Sequence, residues 1–252
     1  MKRSRRAKVV LLAAPGTLRL LDKPLRAAGI DLARLEMVHP VAIPPARWLP
    51  GLEKLGAVDE VVVTSRFAVA AGVVPWRRAA HPSRGVRYWA IGPVTATALR
   101  SRRITNVRRP RGTGSDAIVR AIGRGRSTIL HLRSDQAGAG LARTLRGQGH
   151  PVRDVVTYRT LGRTELSSRE IRRIVEADLL VATSPSSLDA LRGVLSRSGF
   201  RTVAATTPLV VLGSRSSGAA RRAGFRRVSI PSTMTARSFT RHLLNEIDHA
   251  QL

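Results

Sequence analysis

Short runs of Val, Ile and Leu recur along this chain at residues 8–14, 59–63, 86–91, 128–132, 178–182 and 208–212. Each gives way to a Gly, Ser, Thr or Pro cluster and then to a stretch with helical spacing. Continuous apolar runs this short suit strands covered on both faces, which predicts a parallel sheet flanked by helices. The class is α/β. The segments also repeat: LRAAG at 25–29 returns as LRGQG at 145–149, VVVTS at 61–65 as LVATS at 180–184, and AIG at 90–92 as VLG at 211–213. Offsets of 120, 119 and 121 residues, in unchanged order, predict two similar α/β domains.

The division between them has two solutions. Each half opens with strand, helix and a second strand, the latter running through LARLEMVHP and then through PVRDVVTYRT. If those second strands cross between domains, the first domain holds the two ends of the chain and the second holds the middle; a simple cut near residue 125 fits the repeats equally well. Pro40, Pro44, Pro45 and Pro50 disfavour a central strand or helix and mark 39–50 as a linker, with 160–168 the other candidate.

Composition narrows the partners. Basic residues exceed acidic ones by 44 to 16, for a net charge of +28, and only four of the 44 are Lys. Such a field attracts nucleic acid, anionic lipid or a polyanionic small molecule, or else reflects solvated charge spread over the whole surface. The densest patch is RRPRG at 108–112, and aromatic residues make up 4% of the chain, too few for a base-stacking platform. The chain contains no Cys, which removes disulfides and thiolate chemistry and makes the cytoplasm the expected location. The apolar run Val9–Ala14 behind MKRSRRAK is shorter than a signal-peptide core and reads as a strand behind a basic arm. No apolar stretch approaches the roughly 20 residues of a membrane span.

The hydroxyls that end the strands carry the functional signal. In an open parallel sheet, ligands bind beyond the carboxyl ends of the strands, where helix N-termini favour anions. Thr64-Ser65, Thr183-Ser184 and the Gly92-Pro93-Val94-Thr95 turn stand at such places. A Ser or Thr before a helix is commonly just its N-cap, and a duplicated chain duplicates its caps. If the two domains face one another, however, such turns line both walls of one cleft.

The segments VVVTSRFAV, YWAIGPVTATALRSRRI, ILHLRSDQAGAGLARTLRGQGHPVRDVVTYRT, ADLLVATSPSSLDAL and PLVVLGSRSSGAARRAGF, in that order over about residues 8–247, resemble uroporphyrinogen-III synthase. The resemblance implies two flavodoxin-like domains joined by a two-stranded linker. It selects the crossed division: 1–38 with 160–252, and 39–159, with linker strands near 35–40 and 153–160. It further implies cyclisation of linear hydroxymethylbilane to uroporphyrinogen III through a spiro intermediate, with the last pyrrole inverted and no cofactor. The substrate is an octa-carboxylate, which an Arg-rich cleft of helix starts and hydroxyls would hold. A monomer is expected, with nucleic acid a second partner through the basic surface and no membrane association. The non-catalytic alternative is a relative that keeps the cleft to bind tetrapyrroles, other polyanions or nucleic acid.

By the same resemblance Tyr158 assists departure of the hydroxyl, as hydrogen-bond donor or general acid. Its partner in the repeat is Val38, so duplication does not account for it, although an amphipathic linker position would also suit a tyrosine. Thr64, Ser65, Thr95, Thr183, Ser184 and Ser216 carry over as carboxylate-binding or ring-orienting positions, and Gly92 and Gly213 as tight-turn positions. Two departures stand out: Ala13-Ala14 replaces the family's Thr-Arg pair after the first strand, and the second Gly-Pro-x-Thr-Ala turn has become Gly213-Ser214-Arg215-Ser216-Ser217. Pro24 is expected to kink the first helix or delay its start. The six His show no metal-ligand spacing, and the chain has no G-x-x-x-x-G-K-[ST] loop.

Overall fold

A computed structural model of the chain describes residues 6–82, 85–112, 114–233 and 235–249, so most of the expected basic arm lies outside the described residues. The chain divides into two compact units, one of Met1–His39 with Leu161–Leu252 and one of Pro40–Thr160.

The chain opens with β1 (Lys8–Ala13), α1 (Asp22–Ala27), β2 (Asp31–Glu36), β3 (Val38–Ala42) and β4 (Glu60–Val63). A helical run follows, made of α2 (Arg66–Ala68), a π-helical turn (Val69–Val73) and α3 (Val74–Ala80). Then come β5 (Arg87–Ala90), α4 (Pro93–Arg100), β6 (Val107–Arg108), α5 (Gly114–Ile122), β7 (Ile129–Ser134), α6 (Gly140–Gly147) and β8 (Val152–Gly162). The chain continues through α7 (Ser168–Val175), β9 (Leu179–Ala182), α8 (Pro185–Val194) and α9 (Arg197–Thr206). It ends with β10 (Leu209–Val211), α10 (Ser214–Arg222), β11 (Val228–Ser229) and α11 (Ala236–Asp248).

Two sheets result, in the orders β2-β1-β9-β10-β11 and β3-β8-β7-β4-β5-β6. β1 pairs in parallel with both β2 and β9, and β7 with both β8 and β4. Each sheet therefore takes two strands, β1-β2 or β7-β8, from one half of the sequence and its other strands from the other half. Strand alternation puts the two faces of each sheet into separate cores. Val10 and Leu12 of β1 join one cluster while Val9, Leu11 and Ala13 join another. Val61 and Val63 of β4 are likewise separated from Val62. Both faces are covered, which is why the strands read as unbroken apolar runs.

Prolines and a strand break account for the local departures from expectation. LARLEMVHP is two strands rather than one. It breaks at the fully buried Met37, with β2 in one sheet and β3 in the other. The 39–50 linker is partly β3, which accommodates Pro40 because it is an edge strand; the remaining prolines start 3₁₀ turns at Pro45–Arg47 and Pro50–Leu55. The 160–168 candidate begins as strand, since β8 runs to Gly162. Pro24 delays α1: the chain first makes a 3₁₀ turn at Arg19–Leu21, and Pro24 then sits in the first helical turn, where its missing N–H costs nothing. The Arg163 N–H donates to the Met37 carbonyl at 2.8 Å and the Ile43 N–H to the Thr157 carbonyl at 2.9 Å, so β3 and β8 run in opposite directions as the two passages of the chain from unit to unit.

Candidate active site

In the middle unit, β4 ends at Val63 and the chain turns through Thr64 and Ser65 into the 66–80 helical run. The Ser65 hydroxyl accepts the Ala68 N–H at 3.1 Å and so is an N-cap, the ordinary role of such a residue. It has a second partner: Ser65 Oγ and Tyr158 Oη share a hydrogen bond of 2.8 Å. Tyr158 lies on β8 and is 6% exposed. Its ring meets that of Phe67 at 6.0 Å between centroids, and the Arg66 guanidinium lies 4.9 Å over the Phe67 ring. Tyr158 reaches this face because β8 bulges: Arg133 of β7 is opposite Val156, but Ser134 is opposite Tyr158, leaving Thr157 as the extra residue.

Gly92 and Gly213 begin α4 and α10 with no side-chain cap. These short turns do not require glycine conformations: Gly92 has φ −147° and Gly213 φ 170°, extended backbone open to any residue. A Cβ added at either glycine would meet nothing within 4 Å. The space beside each helix start is open. Thr95 and Ser216, three residues on, are turned into the fold at 5% and 7% exposure. In the discontinuous unit, Ser184 caps α8 by accepting the Ser187 N–H at 3.2 Å, and Thr183 binds back to the Leu12 carbonyl through its N–H at 3.1 Å and its hydroxyl at 3.4 Å. In the stretch after β1, the Arg34 guanidinium donates to the carbonyls of Thr17 and Leu18 and to Asp22.

Thus the turns after adjacent strands β4 and β5, and after β9 and β10, carry the candidate residues other than Tyr158, which lies on β8. The family model described as Uroporphyrinogen-III synthase HemD matches residues 32–241. The chain belongs to the uroporphyrinogen-III synthase family. Two solved structures share the fold. A mutant uroporphyrinogen III synthase from the extremely thermophilic bacterium Thermus thermophilus aligns over 96% of this chain and 99% of its own, with 14% identity and a TM-score of 0.64. The uroporphyrinogen-III synthetase of Helicobacter pylori aligns over the same shares, 96% and 99%, with 13% identity and a TM-score of 0.60. No curated protein sequence matches the chain. As a uroporphyrinogen-III synthase the protein is an enzyme of tetrapyrrole biosynthesis that cyclises linear hydroxymethylbilane to uroporphyrinogen III.

Sequence reasoning passed over one loop of this synthase. β7 ends at Ser134 and leads through Asp135 to α6, in the hydroxyl-ending pattern already seen at Thr64-Ser65. The Asp135 N–H donates to the Tyr158 carbonyl at 3.1 Å, and the Asp135 carboxylate accepts the Thr160 N–H at 3.0 Å, tying the loop to β8 on both sides of Arg159. Arg133 holds the loop from below. It donates to the carbonyls of Ser134 at 3.0 Å and Ala137 at 2.5 Å, and grips Asp154 in bidentate fashion at 2.7 and 2.8 Å. The buried His131 stands 2.9 Å from Asp154 but off the direction a hydrogen bond takes. Burial alone would raise the Asp154 carboxyl; the adjoining His131 and Arg133 outweigh it and hold the group far below the usual carboxylate range. No group of three or more His, Cys, Asp or Glu suited to a metal ion occurs among the described residues.

Proposed function

We propose that Tyr158 is the donor that helps the hydroxymethyl oxygen of hydroxymethylbilane to leave, and that Ser65 orients it. The supporting observation is the 2.8 Å contact between the two hydroxyls. With one lone pair of Ser65 Oγ taken by the Ala68 N–H, its own proton is available to Tyr158 Oη, and the phenolic proton is then directed at the substrate. The C–O bond breaks as the oxygen takes a proton and departs as water, while the adjacent pyrrole nitrogen stabilises the carbocation. Attack by the already substituted α-carbon of the last ring forms the spiro intermediate. Its reopening and reclosure invert that ring, and loss of a ring proton on rearomatisation balances the one given to the leaving oxygen.

Since the cation is stabilised by the substrate itself, the heavier task is to hold a flexible chain with its two ends together. Carboxylates of the substrate have matching partners in the uncapped starts of α4 and α10, beside the open space at Gly92 and Gly213, and in the hydroxyls of Thr64, Thr183 and Ser184. Thr95 and Ser216, buried at the third helical position, shape these turns from within. A monomer working in the cytoplasm completes this reading. The decisive assay supplies enzymatically made hydroxymethylbilane and measures type III product against the type I isomer that forms spontaneously; type I alone would refute the assignment of a competent site.

A further inference from the structure

The bulge that aims Tyr158 is itself held by a specific contact. Strict alternation along β8 would put Tyr158 on the face of Asp154 and Val156, away from Val155. Instead Thr157 is fully buried and the very next residue, Tyr158, shares a core cluster with Val155, Leu132 and Ala68. Three bonds and contacts fix Thr157. Its hydroxyl donates to the Arg133 carbonyl at 3.4 Å, its carbonyl accepts the Ile43 N–H at 2.9 Å, and its side chain lies over Gly72. A Cβ on Gly72 would stand 2.9 Å from Thr157 Cγ2, 3.1 Å from its Oγ1 and 3.2 Å from Leu132 Cδ1.

Gly72 lies in the π-helical turn of the same helical run whose first residue is capped by Ser65. That run therefore touches β8 twice, through Ser65 at Tyr158 and through Gly72 at Thr157. A glycine inside a helix is otherwise a cost of about 1 kcal/mol against alanine, so close approach is what accounts for it here. π-Turns and bulges both recur at functional sites, where an extra residue re-aims its neighbour.

We propose that Gly72 and Thr157 are positioning residues for ring closure: their contact sets the β8 bulge and thereby the direction of the Tyr158 hydroxyl. The proposal rests on the role given to Tyr158 above, and a double-mutant cycle on steady-state kinetics separates the two. Gly72→Ala is expected to lower kcat about 10- to 100-fold with KM changed less than about threefold. In a Tyr158→Phe background it should add almost nothing, because both changes remove one function. Adding Thr157→Ser to Gly72→Ala removes the methyl that the new Cβ strikes, and should recover most of the lost kcat. If Gly72→Ala does not fold, as read by circular dichroism, Thr157→Val, which deletes the hydroxyl bonded to Arg133, takes its place in the cycle. Unchanged kcat in the Gly72 variant, or an equal loss in the presence and absence of the Tyr158 hydroxyl, would overturn the proposal. Full kcat in Tyr158→Phe alone would instead overturn the reading beneath it.

Discussion

Tyr158→Phe removes one oxygen from a side chain whose ring stays packed against Phe67. The expected result is a kcat lowered about 10- to 1000-fold, within and somewhat below the range of general-acid contributions, with type III product still formed and the melting curve little changed. Gly92→Ala and Gly213→Ala make a complementary pair. Their extended φ values and the empty space around a new Cβ predict stability within about 0.5 kcal/mol of the parent. The same methyl groups would occupy the place proposed for substrate carboxylates, so KM should rise while the thermal midpoint holds; an unchanged KM in both would remove these helix starts from the site. At this scale the sequence disclosed residue types and their order. It did not disclose that Gly92 and Gly213 need no special backbone, or that Thr95 and Ser216 are buried, because both facts depend on the angle at which each helix meets its sheet.

Two elements depend on single carboxylates. In α7 the Ser167 hydroxyl accepts the Glu170 N–H and the Glu170 carboxylate accepts the Ser167 N–H, a capping box further tied to Arg163 at 2.7 and 2.9 Å. The hydrogen bonds from Arg163 and then from the Ser167 N–H bring the Glu170 carboxyl from 4.5 down to about 2. A carboxyl depressed in the folded state contributes stability that is complete above its unfolded value and disappears as pH falls through the folded one. Glu170→Gln should therefore cost about 1 kcal/mol at pH 7, the size of a lost cap, with the gap between variant and parent closing as pH falls from about 4.5 to about 2 in denaturant titrations. Asp154→Asn is the larger change. It leaves the bidentate Arg133, mostly buried, without its counter-charge, and should destabilise by about 3 kcal/mol while loosening the Ser134–Ala137 loop that touches β8. A melt within experimental error of the parent would show that the pair is solvated. The SxxE pattern of the capping box was there to be read in SSRE at 167–170, whereas nothing in the spacing links Arg133 to Asp154: the pair exists only because β7 and β8 lie side by side.

For the molecule as a whole, the two passages of the chain adjoin, with the Arg163 N–H on the Met37 carbonyl. Residues 40–160 alone, and the remainder rejoined by a short Gly-Ser bridge from His39 to Leu161, are each expected to melt cooperatively, since each has cores on both faces of its own sheet. Gradual, uncooperative melting of either piece would count against their independence. The net charge of +28 predicts weak retention of duplex DNA at about 50 mM salt and its release by about 200 mM, measured by fluorescence anisotropy; no binding at the lower salt would exclude nucleic acid as a partner. By itself the sequence determined the α/β class, the parallel sheets, the duplication and the ordered motifs of the family, because burial on both faces and helix starts leave their mark on consecutive residues. Only the tertiary structure decided which strands share a sheet, where LARLEMVHP breaks, and that Thr157 bulges against Gly72 to bring Tyr158 to Ser65. The last of these rests on contacts between residues 85 and 93 positions apart, and all of them on pairings between distant segments whose energies no local pattern records.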